Sequence, residues 1–174
     1  MNIDLIVPYR LEDRPERYKR IIYKKIQDYI KNGSKGDLEL IESPKIDLPS
    51  TLTSVGRSLN LGESKIKEIN HIKSIGLFLF LDRSEISKLP DNLTVGDYLS
   101  VEDCKSLREL PNNLTISGNL WINNSSISDI PKNLKIGKDL HINATPLYRN
   151  YTEEEIRKMI EDGGGYLKGT IKRF

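Results

Sequence analysis

The sequence predicts a β-rich α/β solenoid with a parallel sheet, capped by an N-terminal and a C-terminal helix. Three observations support this prediction: an apolar-x-apolar pair occurs six times, a small side chain follows each pair, and Pro and Gly residues separate the pairs. Such short units cannot bury their apolar faces alone, so neighbouring units must stack and pair their strands in parallel. The same register predicts an N-terminal cap over residues 1–35, six repeats over residues 36–147 and a C-terminal cap over residues 148–174.

The apolar pair sets the period of the repeat. It recurs at steps of about 20 residues between Leu38 and Leu140. Because side chains alternate along a strand, both members of a pair face the same way, which we interpret as the core side. The six pairs are Leu38/Leu40, Leu59/Leu61, Leu79/Leu81, Leu99/Val101, Leu120/Ile122 and Leu140/Ile142.

A column of small side chains follows the pairs at a fixed distance of three residues. Short hydroxyl or thiol groups can satisfy backbone groups where the chain leaves a strand, so we expect this column to face inward. Its members are Ser43, Ser64, Ser84, Cys104, Ser125 and Thr145. Pro and Gly then mark the turns on the far side of each unit.

Two segments carry a family resemblance. Leu59-Asn-Leu61-Gly-Glu-Ser64-Lys-Ile66 resembles the strand and turn of leucine-rich repeats, and Leu110-Pro-Asn-Asn-Leu114 is similar to the connector of short bacterial LPX-like repeats. The whole unit, over residues 36–147, looks most like small leucine-rich-repeat proteins of bacteriophages. The resemblance implies a right-handed solenoid, a viral origin and protein binding without shared chemistry. A short repeat with glycine at a consensus leucine position favours turn-like connectors, with a second short strand at Leu114-Thr-Ile116 and its equivalents.

The N-terminal cap is predicted to contain a helix. Asp13-Arg-Pro-Glu16 has the pattern of a capping box with Pro in the first turn. The helix should run to about Asn32 and end at Gly33. Its apolar face is expected to consist of Tyr18, Ile22, Ile26, Tyr29 and Ile30. Before it, the alternation of Ile3, Leu5 and Val7 suggests a strand.

The C-terminal cap shows a second capping box, Thr152-Glu-Glu-Glu155. The helix that follows should end near Asp162, before three glycines at 163–165. Residues 166–174 have the apolar alternation of a closing strand. Both caps would cover core that the terminal repeats expose.

Catalytic and cofactor motifs are missing from the sequence, and we expect a protein that is not an enzyme and needs no cofactor or metal. His71 and His141 fall at different positions of the repeat, and the glycines at 163–165 lack the context of a phosphate loop. Cys104 belongs to the small column, which favours a packed thiol over a nucleophile. Asp82 and Glu102 should be adjacent on the surface and would suit a cation, but two solvated carboxylates are the simpler interpretation.

Charge and hydropathy restrict the partners and the compartment. The formal net charge is +2, but residues 10–35 hold nine Lys/Arg and four Asp/Glu. We interpret that excess as the solvated face of the cap helix, because its tyrosines lie on the apolar face and no nucleic-acid motif is present. No apolar run approaches the roughly 18 residues of a membrane span. The N-terminus lacks the order of a secretory signal, so we expect a cytoplasmic protein, in the host cell if phage-encoded.

The outer face of the strands is the candidate binding surface. Core columns are nearly uniform, whereas the outward positions vary between units and include four aromatic residues on three consecutive strands. We expect these side chains to bind a host or phage protein, with inhibition of a host defence factor as one role. The candidate residues are Phe78, Phe80, Tyr98, Ser100, Asn119, Trp121, Asp139 and His141. The alternatives are a structural component of a virion or its assembly, a self-associating solenoid, including a homo-oligomer, and a nucleotide or nucleic-acid binder.

Overall fold

The repeats form a parallel β-solenoid of about five turns in a computed structural model, which describes residues 15–174. Along the stack the chain contributes strands alternately to a seven-stranded sheet and a six-stranded sheet, and the strand pairings of the described residues are parallel. The seven-stranded sheet contains β1 (Leu38–Glu39), β3 (Leu59–Asn60), β5 (Phe78–Phe80), β7 (Tyr98–Ser100), β9 (Leu120–Trp121), β11 (Leu140–His141) and β13 (Ile171–Lys172). The six-stranded sheet contains β2 (Ser54–Val55), β4 (Ser74–Ile75), β6 (Thr94–Val95), β8 (Thr115–Ile116), β10 (Lys135–Ile136) and β12 (Tyr166–Leu167).

The predicted second strand is confirmed. Thr115–Ile116 pairs with Thr94–Val95 on one side and Lys135–Ile136 on the other. The connectors between β1 and β11 are turns and these two-residue strands, without helix. The two strands and their turns therefore occupy all of the roughly 20 residues of a unit, so no residues remain to form a helical layer.

The core lies between the two sheets. Both members of every apolar pair are at most 1 % exposed, and so are the inward residues of the second strands within the repeats, such as Val95 and Ile116. Each such side chain contributes on the order of 1.5–3 kcal/mol by leaving water. The prediction of one continuous core along the stack is confirmed.

The small column faces inward as predicted, and every member is at most 5 % exposed. The Sγ of Cys104 donates to the Leu81 carbonyl at 2.8 Å, and the Oγ1 of Thr145 donates to the Ile142 carbonyl at 2.6 Å. Ser43 and Ser64 differ, because their buried hydroxyls have no hydrogen-bond partner among the described residues. Size, more than hydrogen bonding, therefore defines this column at the N-terminal end.

The N-terminal cap is helix α1 (Pro15–Lys31), close to its predicted bounds. Ile22 and Ile26 are buried, and Tyr18, Tyr29 and Ile30 pack against the core, which confirms the predicted apolar face. Gly33 follows the helix with a φ of 79°, a left-handed conformation that glycine adopts without strain. The predicted capping-box residues Asp13 and Arg14 and the predicted strand around Ile3, Leu5 and Val7 lie outside the described residues.

The C-terminal cap contains two helices, α2 (Pro146–Asn150) and α3 (Glu153–Asp162). The capping box of α3 is confirmed, since the Thr152 hydroxyl accepts from the Glu155 amide at 3.2 Å while the Glu155 carboxylate accepts from the Thr152 amide at 2.8 Å. Helix α2 was not predicted. Its N-cap is Thr145, a member of the small column whose hydroxyl also accepts from the Tyr148 amide at 3.0 Å.

The closing segment was predicted to be one strand, but it forms two. It forms β12 and β13, which extend both sheets: Tyr166 pairs with Lys135, and Ile171 pairs with Leu140. The two cap helices replace the connector of the last turn, so the chain returns to both sheets without a further repeat. Among the described residues, no helix combines the length and the apolar character needed to cross a membrane.

Candidate recognition surface

Five rings form a continuous aromatic ladder on the outer face of the seven-stranded sheet. We define this ladder as Phe78, Phe80, Tyr98, Trp121 and His141. Successive ring centroids lie 5.9, 5.5, 5.8 and 4.0 Å apart in that order. The sequence prediction that these side chains are neighbours is thus confirmed by the structure. Contacts of this length stabilise aromatic pairs beyond the burial of their area.

The path of the ladder is diagonal, and the strand register explains why. Phe80 lies directly opposite Ser100, and Ser100 lies directly opposite Trp121. The small Ser100 leaves a gap between the two large rings, and Tyr98, two residues earlier on the same face, fills it. Tyr98 thereby contacts both Phe80 and Trp121.

All five rings are half-buried, because each covers part of its neighbour while its outer edge remains in contact with solvent. Burial raises the pKa of the Tyr98 hydroxyl, with smaller effects from a Ser100 hydrogen bond that lowers it and from Asp82 and Glu102 that raise it. The phenol is therefore neutral and able to donate a hydrogen bond at physiological pH. The ladder presents an apolar surface with a few polar atoms.

Ser100 itself is fully buried. Its hydroxyl donates to the Asp82 carboxylate, which also accepts from the Glu102 amide at 3.0 Å. The structure therefore places this predicted binding residue beneath the ladder, where it supports Asp82 and cannot touch a partner. Alternation alone did not reveal this, because a short side chain between larger ones is covered even on an outward face.

Asn119 and Asp139, also predicted to bind a partner, hold the next turn in place. The Asn119 side-chain oxygen accepts from the Asp139 amide at 3.0 Å, and the Asp139 carboxylate accepts from the Thr170 amide at 2.8 Å. Asp37 makes the equivalent bond to the Ser58 amide at 2.9 Å. The backbone hydrogen bond from Thr170 is the main cause that lowers the pKa of Asp139. These side chains border the ladder with their acceptors already partly used.

Asp82 and Glu102 lie next to each other beside the ladder. The Glu102 carboxylate accepts from the Asn123 amide group at 2.7 Å. Burial raises the pKa of Glu102, and Asp82 and Asp103 raise it further, against the lowering effect of the Asn123 bond. Within residues 15–174, no group of three or more His, Cys, Asp and Glu side chains converges on one point as a metal site would require.

A hollow beside Phe80 is a feature that the sequence analysis did not single out. It has a volume of about 330 Å³ and is lined by Ile41, Asn60, Gly62, Phe80 and Asp82. It exists because Gly62 supplies no side chain at a position where the neighbouring strands carry Ile41 and Asp82. The sequence signal was therefore present, as a glycine within an outward-facing column. An ion pair between Arg83 and Glu63, with 2.6 Å between nitrogen and oxygen, forms its rim.

Cys104 and the basic helix stand apart from this surface. The thiol is fully buried, and burial raises its pKa, so the prediction of a packed thiol is confirmed. On α1, Arg17, Arg20, Lys24 and Lys31 are exposed, as expected for a solvated face.

No family model, no curated protein and no solved structure matches the chain. The fold and the geometry of the strand face are therefore the basis for assigning a function.

Proposed function

We propose that the protein is a non-enzymatic protein-recognition module that binds a partner protein through the aromatic ladder. The observation that carries this proposal is the unbroken row of five half-buried rings across four neighbouring strands. Aromatic side chains are enriched among the residues that dominate binding energy at protein interfaces. In the described part of the chain, the ladder is the place where such side chains concentrate on an open face.

The contrast between the two sides of the sheet supports recognition over mere packing. The inward columns repeat Leu, Ile or Val in every turn, because each must fill the same space. The outward positions of the same strands read Glu39, Asn60, Phe80, Ser100, Trp121 and His141. A fold that needed rings only for support would have the same reason to repeat them as it has to repeat its core.

The size of the face sets a condition on the complex. Six strands spaced by about 4.8 Å and four residue steps of about 3.3 Å give a flat area on the order of 400 Å². A standard interface buries roughly 800 Å² on each partner. The partner therefore also contacts a flank of the solenoid or one of its caps.

The class of partner is suggested only by the resemblance of the repeats to a known family. Their likeness to small bacteriophage leucine-rich-repeat proteins favours a phage origin and a host or phage protein as the partner. Inhibition of a host factor, including a defence protein, is the role that this analogy suggests. The resemblance carries no chemistry of its own.

Self-association is the second candidate, and the C-terminal end of the solenoid favours it. At the N-terminal end, Lys25 donates to the Glu39 carbonyl and α1 packs over the first turn. At the other end, β12 and β13 are the last described strands of their sheets, and Phe174 is 92 % exposed. Edge strands of this kind can pair with a second chain. A molar mass that rises with protein concentration in light scattering, and that is lower for Phe174→Asp than for the wild type at the same concentration, would support self-association.

Capture of a partner from host lysate tests the main proposal. We expect the wild-type protein to retain a partner that the double variant Phe80→Ala/Trp121→Ala loses, with affinity reduced by roughly 30-fold or more, since hot-spot truncations cost about 2 kcal/mol or more. Tyr23→Ala is the matched control, because Tyr23 is an exposed aromatic on α1, away from the ladder. Both variants should keep the circular dichroism spectrum of the wild type.

Equal capture by the double variant would overturn the proposal. Binding that is lost in the double variant but weakens steeply with salt would instead indicate stacked nucleic-acid bases on the ladder. That outcome is disfavoured by Asp82, Glu102 and Asp139, whose carboxylates border the rings and repel phosphate.

A further inference from the structure

We infer that the hollow beside Phe80 receives an arginine or lysine side chain of the partner protein. This inference rests on the proposed function and adds the chemistry of the partner.

The hollow has the dimensions of a side-chain site. Its volume of about 330 Å³ lies at the lower end of the roughly 300–1,000 Å³ of ligand pockets. Phe80 and Ile41 provide apolar surface, and the acidic residue Asp82 is part of the same lining. A long side chain with an apolar stem and a charged end matches that combination.

The charges around the hollow are not balanced. Glu63 and Asp82 line the hollow, and Glu102 and Asp103 lie close enough to interact with Asp82 and Arg83. The ion pairs among these four carboxylates involve two cations, Arg83 and Lys105. Arg83 is bound to Glu63 through two donor nitrogens, at 3.1 and 2.6 Å, and Lys105 lies 3.8 Å from Asp103. Two negative charges therefore have no paired cation among the described residues.

Those two charges belong to Asp82 and Glu102, whose hydrogen-bond donors are all neutral. Asp82 accepts from the Ser100 hydroxyl and the Glu102 amide, and Glu102 accepts from Asn123. Arg83 interacts weakly with Asp82 without forming an ion pair. The raised pKa of Glu102 agrees with a half-buried carboxylate that has negative neighbours and no cation. A basic side chain from a partner would supply the missing charge.

The ring of Phe80 adds a second reason for a cation. A guanidinium or ammonium group over an aromatic face is attracted by the negative potential of the ring. Arginine suits the site best, since its planar group can stack on Phe80 while its donors reach Asp82. An anionic group in the same position would meet the unpaired carboxylates and be repelled.

A pair of short peptides tests this inference on the intact protein. One peptide carries an arginine between glycines, and its twin carries the neutral isostere citrulline. We expect the arginine peptide to bind with a dissociation constant on the order of millimolar. In nuclear magnetic resonance spectra it should shift the amide signals of Phe80, Asp82 and Glu102 saturably, while the citrulline twin should not.

Two variants address the charge and the space. Asp82→Asn/Glu102→Gln keeps the side-chain oxygens that accept hydrogen bonds, and it should weaken binding about fivefold, because partly exposed ion pairs are weak individually. Gly62→Leu should abolish binding by filling the hollow, since Gly62 has no positive φ and the nearest atom to an added Cβ is the Asn60 side-chain oxygen at 3.3 Å. Glu85→Gln/Glu109→Gln, with the same charge change outside the hollow, is the matched control.

The inference is overturned if the citrulline peptide binds as well as the arginine peptide, if neither produces saturable shifts, or if the control charges matter equally. Its failure is distinguishable from failure of the proposed function. If Phe80→Ala/Trp121→Ala loses the captured partner but Asp82→Asn/Glu102→Gln binds it as tightly as the wild type, the proposed function stands and the basic side chain in the hollow is rejected. If both double variants capture the partner as well as the wild type, the proposed function and the basic side chain are both rejected.

Discussion

Trp121 and His141 stack face to face, with ring centroids 4.0 Å apart and ring planes inclined by 18°. They are direct neighbours in the register of β9 and β11, so their contact is fixed by the backbone pairing. Trp121 is the only tryptophan of the chain. The pair ends the aromatic ladder on its C-terminal side, where a titratable ring meets an apolar one.

The first prediction concerns pH. Burial lowers the pKa of His141 below its ordinary value of 6.5; Asp139 opposes this by raising it, and Lys172 lowers it further. The unfolded chain therefore binds the proton more readily than the folded chain. The free energy of unfolding consequently rises with pH between the lowered pKa of the folded state and the ordinary value of 6.5. The histidine contribution is complete above about pH 6.5 and is lost as the pH falls through the lowered pKa.

Urea unfolding between about pH 8 and pH 5 measures this effect. We expect the free energy of unfolding of His141→Asn to depend less on pH than that of the wild type, because the titrating ring is gone. His71→Asn, a change at an exposed position in a connector, is the control and should behave as the wild type. Parallel pH profiles for wild type and His141→Asn would contradict the prediction.

The second prediction concerns the close approach of consecutive turns. A Cβ on Gly96 would lie 1.9 Å from the Gly76 carbonyl oxygen, so the backbone must shift to admit any side chain. We expect Gly96→Ala to destabilise the fold by about 3 kcal/mol, at the upper end of ordinary overpacking. Gly62→Ala, where the nearest atom is a side-chain oxygen at 3.3 Å, should cost far less. Thermal unfolding of the two variants compares them, and similar losses would refute the packing argument.

The third prediction concerns the thiol of Cys104. Because Cys104 is fully buried and burial raises its pKa, it should react with a thiol reagent only as fast as the protein opens. Cys104→Ser should cost no more than about 1 kcal/mol, since four other turns carry serine at this position and a hydroxyl can also donate to the Leu81 carbonyl. Rapid labelling of the native protein would show that the column is open at this turn.

Periodicity made the fold predictable from the sequence. The recurrence of pairs such as Leu120/Ile122 determines which residues face inward, and each copy supports the interpretation of the others. The end of the array was harder to predict. Helix α2 is capped by Thr145, which the repeat register assigns to the small column. This residue becomes a helix cap because a helix, and not another connector of the repeat, follows it.

The candidate surface was predictable in position and less so in detail. Alternation placed Phe80, Tyr98 and Trp121 on one face, and strand pairing brought them into contact. It did not reveal that Ser100 is buried or that Asn119 bonds the next turn, since both depend on the sizes and donors of neighbours in three dimensions. A single sequence read along one strand does not contain that information.

The most direct test of the central claim uses Trp121 as its own reporter. Incorporation of 5-fluorotryptophan places one fluorine resonance in the ladder, because Trp121 is the only site, and the unlabelled partner contributes no signal. If the ladder is the recognition surface, the captured partner will shift this resonance and reduce its sensitivity to solvent as the complex forms. A resonance that keeps its position and its sensitivity to solvent while light scattering records the complex would contradict the account.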